Sequence, residues 1–404
     1  MRKIIFLTAV MLLSTGISFA QDAAPEPVEK QEESKHDVMD LLRKSLSANS
    51  QVIVEDKAGQ AAPKSFELHF ALELEYEDVE NEADSPADST QEPQGYMEVD
   101  KFVLEPILRF DEKTTLRSEL QFEFDKTFLR KSYVTFDDLF LDSALSIGLN
   151  CRFIRPARKT ETYPIIGTAY WRDDGFAMTF NGEKAPVYWY FSIGNGLNLN
   201  ASKINEDNSF LIIQDDRNGG PRNDAREIGL GLGVKKELGD VGRINAMAFF
   251  YEDKLTKNEV LFMQGISGYG VSEEDRRTRG GVSVDYANGP FDFFTQYITS
   301  VDGKLDRSGY FVQASYDFDF SKLESFRFLP DKATALIRYN SYDVDMDKYP
   351  ADSLTWDRQA LTVAGLIPLD EFMTLKVEYN FNDETTGDIP IDNDEILLQI
   401  NIYY

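Results

Sequence analysis

Residues 65–77 read Ser-Phe-Glu-Leu-His-Phe-Ala-Leu-Glu-Leu-Glu-Tyr-Glu. Phe66, Leu68, Phe70, Leu72, Leu74 and Tyr76 alternate with Glu67, His69, Glu73, Glu75 and Glu77. An extended strand repeats every two residues, so this alternation sends one set of side chains to each face of a sheet. A soluble sheet with one wet face has the same period. Here full charges occupy the polar face through the middle of the strand. That arrangement suits a water-filled lumen on one side and lipid on the other.

The pattern recurs to the end of the chain. A third strand sets Leu116, Leu120, Phe122 and Phe124 against Arg117, Glu119, Gln121, Glu123 and Asp125. Other candidates lie near 98–110, 128–138, 143–154, 174–182, 186–195, 226–238 and 241–252. The remainder lie near 277–287, 289–299, 308–319, 332–342, 357–368, 371–382 and 393–403. Tight connections at 111–113, 183–185, 239–240, 288–289 and 369–370 alternate with long ones at 78–97, 155–173, 196–225, 253–276, 343–356 and 383–392. The expectation is an all-β fold: a transmembrane antiparallel β-barrel of 16 strands with short periplasmic turns and long extracellular loops. Closure removes sheet edges and pairs every backbone N–H and C=O in lipid. Two connections break the alternation, with 126–127 too short for an outer loop and 320–331 long for an inner turn.

Residues 1–20 have the three regions of a secretory signal: basic Arg2-Lys3, an apolar core from Ile4 to Leu13, and Ser18-Phe19-Ala20 before a cut at Gln21. Residues 21–64 read as a polar periplasmic linker, with Val38, Leu41, Leu42 and Leu46 on one face of a short helix. Residues 65–404 form the barrel. No later stretch approaches the ~20 apolar residues of a membrane helix. The formal charge of −28 excludes a nucleic-acid footprint. The 29 Phe and 19 Tyr fit aromatic belts at two bilayer interfaces. Cys151 is the one cysteine and reads as a small apolar side chain.

The connection 155–173 is the candidate constriction. Asn150 and Arg152 lead into it on the lumen face, and Arg155, Arg158 and Lys159 follow. Such a basic cluster in a pore would raise the local anion concentration. Arg117, Glu119 and Glu123 are further lumen-facing charges. Arg276, Arg277 and Arg279 read as a run that binds lipopolysaccharide phosphate or the rim. Gly229, Gly231 and Gly233 alternate with Leu230, Leu232 and Val234, which places glycine on the lumen face. Only His36 and His69 could supply imidazole, and neither has clustered partners, so no enzyme, metal or cofactor is expected.

Three stretches resemble the phosphate-selective porin O and P family. They are Leu145-Ser146-Ile147-Gly148-Leu149-Asn150, Tyr170-Trp171-Arg172-Asp173-Asp174-Gly175-Phe176, and the end from Asp394 to Tyr404 with Leu397-Leu398-Gln399-Ile400. The resemblance implies a trimeric sixteen-stranded barrel whose third outer loop narrows the lumen, and anion selection by lumen arginines and a loop lysine cluster. Only Arg152, Arg155, Arg158 and Lys159 lie in the comparable region, and Arg172 in the second stretch is a further candidate for the constriction. It also implies that Tyr404 serves recognition by the barrel-assembly machinery. The strongly acidic balance departs from a dedicated phosphate channel. The expected function is passive diffusion of small hydrophilic solutes, anions such as phosphate among them, through a Gram-negative outer membrane with its lipid and lipopolysaccharide. The alternatives are a non-conducting surface barrel, adhesive or structural, and a substrate-specific uptake channel.

Overall fold

The computed structural model describes residues 63–79, 95–123, 127–139, 142–149, 159–160, 176–195, 199–201, 213–215, 226–265, 274–321, 330–345, 356–386, 389–391 and 394–404. Sixteen strands carry the fold. They are β1 (Ser65–Val79), β2 (Tyr96–Arg109), β3 (Thr114–Phe122), β4 (Thr127–Phe136), β5 (Ser143–Leu149), β6 (Phe176–Lys184), β7 (Val187–Asn195) and β8 (Arg226–Glu237), followed by β9 (Arg243–Lys254), β10 (Arg276–Asn288), β11 (Phe291–Asp302), β12 (Leu305–Asp319), β13 (Lys332–Asp345), β14 (Trp356–Pro368), β15 (Met373–Thr386) and β16 (Glu395–Tyr403). Each pairs antiparallel with its neighbours in the chain, and β16 returns to β1 with Ala71 opposite Tyr403 and Val79 opposite Glu395. The sheet is therefore a closed sixteen-stranded barrel. Leu199–Ala201 pairs with Ile213–Asp215 outside it, and Ile389–Ile391 pairs with the end of β15.

Every expected segment overlaps one of these strands. The two irregular connections are real. β3 and β4 are separated only by residues 123–126, while β12 and β13 pair along their whole length despite the long connection 320–331. One departure is at 303–304, where a two-residue turn joins the strands expected at 289–299 and 308–319 and each runs three residues further toward the other. The chain divides into two units: residues 1–62 with 320–330, and the barrel of 63–319 with 331–404. The expected signal and linker, apart from Pro63 and Lys64, lie outside the described residues.

The faces separate as a lipid-embedded barrel requires. On β8, Leu230 and Leu232 are 52% and 61% exposed, whereas the alternating Gly229, Gly231 and Gly233 face inward. Val282, Ile337, Val363 and Phe381 are likewise exposed on the outer face. Arg277, Arg338 and Glu378 on the inner face are each 0% exposed. A protein folded in water does the reverse, and so extensive an apolar exterior marks a surface made for an apolar partner. Among the described residues no helix is long and apolar enough to cross a membrane.

Most of the short turns lie at one rim, and two of them use local side-chain caps. Asp111 accepts from the Lys113 N–H at 2.8 Å and from the Thr114 hydroxyl at 3.2 Å. The Lys113 amide, with Thr114 behind it, holds the Asp111 carboxyl below its ordinary range. The Lys113 ammonium then reaches Asp138 on the next turn at 2.5 Å and lowers that carboxyl too. Asp370 caps the β14–β15 turn through the Phe372 N–H at 2.7 Å. The chain end closes the same rim. Phe70 and Tyr404 exchange two backbone hydrogen bonds of 3.0 Å, and their rings stack at 5.2 Å.

The glycine stripe of β8 is a packing device. A Cβ at Gly229, Gly231 or Gly233 would fall into the ring of Tyr251, Tyr190 or Tyr188 respectively. These tyrosines come from the flanking strands β7 and β9 and lie flat on the wall because glycine leaves room. Gly231→Val is expected to destabilise the barrel by about 1–3 kcal/mol through overpacking. The check is the urea midpoint followed by heat-modifiable gel mobility, and an unchanged midpoint would contradict the packing.

Candidate functional site on the inner wall

The inner wall carries three groups of polar side chains. The first lies where β9–β12 approach the rim opposite the short turns. Arg277 on β10 stands between Asp253 on β9 and Asp302 on β11, its Nε 3.8 Å and 2.9 Å from their carboxylate oxygens. The turn at 303–304 brings Arg307 back to the same Asp302, donating Nε at 3.0 Å and Nη2 at 2.5 Å. Asp302 thus holds two arginines, with all three side chains fully buried. Arg279 and Glu227 are buried on the same wall. This corrects the expectation for the run at 276–279. Only Arg276 is exposed, while Arg277 and Arg279 turn into the barrel because strand parity alternates them with Thr278.

The long connection after β9 contains a helix that the alternation pattern did not announce. Helix α1 (Lys257–Gly265) starts at a capping box: Glu259 accepts from the Thr256 N–H at 2.6 Å, and Thr256 Oγ1 accepts from the Glu259 N–H at 3.2 Å. The Thr-x-x-Glu spacing at 256–259 was the available signal. Leu255 and Glu259 are both buried.

The second group involves the connection after β5. Lys159 and Thr160 lie against the inner wall. The Lys159 ammonium donates to Asp292 on β11 at 2.7 Å and to Ser315 on β12 at 2.8 Å. Arg338 on β13 donates to Thr160 Oγ1 at 2.7 Å and to Thr362 on β14 at 3.2 Å. Thr362 passes a 2.6 Å hydrogen bond to Asn380 on β15, whose amide donates to Glu395 on β16 at 3.0 Å. Arg152, Arg155, Arg158 and Arg172, together with Cys151, lie outside the described residues.

The third group straddles the seam between the first and last strands. Gln399 on β16 donates its one amide nitrogen to Glu75 at 2.7 Å and to Glu73 at 3.3 Å. Lys101 on β2 pairs with Glu73 at 2.6 Å, and Lys376 on β15 donates to Gln399 at 2.9 Å. Nearby on β2–β4, Arg117 pairs with Glu105 at 3.3 Å, Lys131 pairs with Glu119, and Arg130 reaches Gln121 at 2.9 Å and Glu123 at 3.5 Å. His69 stands 3.8 Å from Glu67. Among the described residues no group of three or more metal-ligating side chains could hold an ion.

Several buried inner-wall atoms lack a hydrogen-bond partner among the described residues: Gln296 Oε1, Ser300 Oγ, Gln313 Oε1, Asn340 Oδ1 and both amide atoms of Asn401. Leaving one such atom dry costs about 1–3 kcal/mol. Water is the partner that buried polar sites of this kind take. The polar composition of this wall is what a hydrated barrel interior takes.

No family model matches the chain, and no curated protein matches it. Solved structures do match in fold. OprB of Pseudomonas putida superposes with a TM-score of 0.58 at 7% identity, covering 84% of this chain and 94% of that one. The outer membrane channel DcaP of Acinetobacter baumannii gives 0.56 at 11%, covering 85% and 98%. The anion-selective porin from Comamonas acidovorans gives 0.53 at 12%, covering 84% and 99%. At such identities the likeness establishes the barrel fold.

Asp302→Ala strands two buried arginines and is expected to cost about 3–5 kcal/mol. The temperature at which the folded gel band converts to the unfolded one should fall. No fall would mean that the cluster does not hold this wall together.

Proposed function

We propose that the chain is an outer-membrane porin through which small hydrophilic solutes diffuse passively. The supporting observation is the inversion of the two faces on a closed sheet of 16 strands. Aliphatic and aromatic side chains point outward, where only lipid accommodates a surface of that kind. Charged and amide side chains point inward, where water satisfies them. Sixteen strands also enclose more volume than wall side chains fill. On this reading the signal of residues 1–20 exports the chain, the short-turn rim faces the periplasm, and exposed Arg276 lies near lipopolysaccharide head groups. Tyr404 at the seam is the feature offered to the assembly machinery, and a homotrimer is the assembly to test.

Selectivity on this proposal is weak. An anion preference, with phosphate as the solute of interest, needs uncompensated cations in the bore. Its candidates are Arg152, Arg155, Arg158, Lys159 and Arg172. The described one, Lys159, is held by Asp292, which offsets its charge. The Arg277–Asp302–Arg307 cluster is likewise partly balanced in place. These pairings favour general diffusion over a dedicated phosphate path.

A second reading, a barrel that does not conduct at rest, has one observation in its favour. Arg338, Thr362, Glu378 and Gln399 are all 0% exposed, so the wall from β13 to β16 is covered at these positions. Planar-bilayer recording separates the two readings. Purified protein is expected to give stepwise conductance, and a membrane that stays silent would overturn the porin reading. Neutralising Arg152, Arg155 and Arg158 together should lower the anion-to-cation permeability ratio. An unchanged reversal potential would remove them from selection.

A further inference from the structure

Lys159 belongs to the connection after β5, yet it is seated across the bore. Its ammonium donates to Asp292 at 2.7 Å and to Ser315 at 2.8 Å. Those two residues stand opposite each other on β11 and β12. Both strands lie nearly half the ring away from β5. Asp292 is the second residue of β11, just past the tight turn at 289–290, whereas β5 ends at the other rim. Lys159 is therefore carried both across the bore and toward the short-turn end. The next residue, Thr160, is held by Arg338 on β13 at 2.7 Å, so the seat has two fastenings.

This pair is not sealed in the wall. The side chains of Lys159 and Asp292 keep 33% and 38% of their surface exposed. Water and small ions reach both, in contrast to the fully buried bridge between Asp302 and Arg277. Two more charges stand on the same face of the sheet. Asp285 on β10 lies opposite Phe294, which makes it a diagonal neighbour of Asp292. Arg243 on β9 lies opposite Ala287 and is in the same relation to Asp285. Lys159, Arg243 and Asp292 all act electrostatically on Asp285. Two cations thus stand against two carboxylates. Lys159 comes from the connection, and the other three belong to the wall.

We infer that Asp292 and Lys159 together set the charge selectivity of the channel, each by cancelling the other beside the ion path. This inference rests on the porin reading and names the residues that regulate what that pore admits. A bridged pair presents a passing ion with a dipole, whose field fades quickly with distance. Removing one member leaves a bare charge, and low-dielectric walls focus its field into the bore. Without the Asp292 carboxylate, Lys159 and Arg243 outweigh Asp285 and draw anions. Without the Lys159 ammonium, Asp285 and Asp292 outweigh Arg243 and draw cations. A pair that only anchored the connection would behave otherwise. Breaking it from either side would free the same segment and move selectivity the same way.

The experiment is the reversal potential of single channels across a KCl gradient for Asp292→Asn, Lys159→Gln and the two combined. Asp292→Asn should lower the potassium-to-chloride permeability ratio by about twofold or more, and Lys159→Gln should raise it by a similar factor. The combined variant should return close to wild type. Shifts in one direction for both single variants, or no shift in either, overturn the inference. So does a combined variant that departs from wild type as far as a single one. Should Asp292→Asn fail the heat-modifiable gel test for folding, the charge can be changed in the assembled channel. Lys159→Cys, made together with Cys151→Ser, is labelled with an ammonium-bearing or a sulfonate-bearing methanethiosulfonate. The ammonium label should restore the wild-type ratio, and the sulfonate label should raise it further. Equal ratios with the two labels overturn the inference. A wild-type membrane that stays silent sinks the porin reading instead, so the two failures are distinguishable.

Discussion

The constraint beneath everything else is that backbone hydrogen bonds have no alternative partner in hydrocarbon. A sheet in lipid must pair every strand on both sides, and the only way to do so without an edge is to join the last strand to the first. In this chain that join is the ladder from Ala71–Tyr403 to Val79–Glu395. The Phe70–Tyr404 stack finishes it at one rim, and Gln399 bridges it on the inner wall. Once the ring is closed, parity decides the rest. Each side chain meets either lipid or the lumen, and a one-residue slip would exchange the two sets on an entire strand.

Closure also explains the concentration of charge inside. Inner-wall carboxylates and arginines are bound into short chains that run across strands, such as Thr160–Arg338–Thr362–Asn380–Glu395. Each link joins adjacent strands, or a wall strand to the connection after β5. Polar networks of this kind fix the wall's geometry when their members are satisfied. On the wall of β9–β12 the same kind of pairing holds Asp302 between Arg277 and Arg307.

Much of this was legible from residue order alone, because dyad alternation is a one-dimensional signal that survives without knowledge of partners. The inward glycines of β8 followed directly from their alternation with Leu230 and Leu232. Arg277 and Arg279 lie on the inner wall and not at the rim, for a reason of strand parity. Three arginines in four residues look like a surface run, but counting back by twos from Val282, Val284 and Tyr286 puts Arg277 and Arg279 on the opposite face. The two-residue turn at 303–304 was hidden because Arg307 and Asp306 resemble loop residues until Asp302 is known to face inward. The capping box at 256–259 is a local four-residue signal that dyad alternation does not carry. The union of Glu73, Glu75 and Gln399 could not be read at all, since their partners are over three hundred residues apart and meet only on closure.

The most direct test of the account is the environment of two consecutive residues on one strand. Val312 and Gln313 of β12 point to opposite faces, one exposed and one buried. With Cys151 replaced by serine, a nitroxide can be attached through a single cysteine at 312 or at 313 in protein reconstituted into bilayers. The account predicts strong relaxation of the 312 label by lipid-dissolved oxygen and a weak response at 313. Equal access of both labels to a water-soluble nickel complex, or an inverted pattern, would contradict a barrel with a lipid-facing exterior and a polar interior.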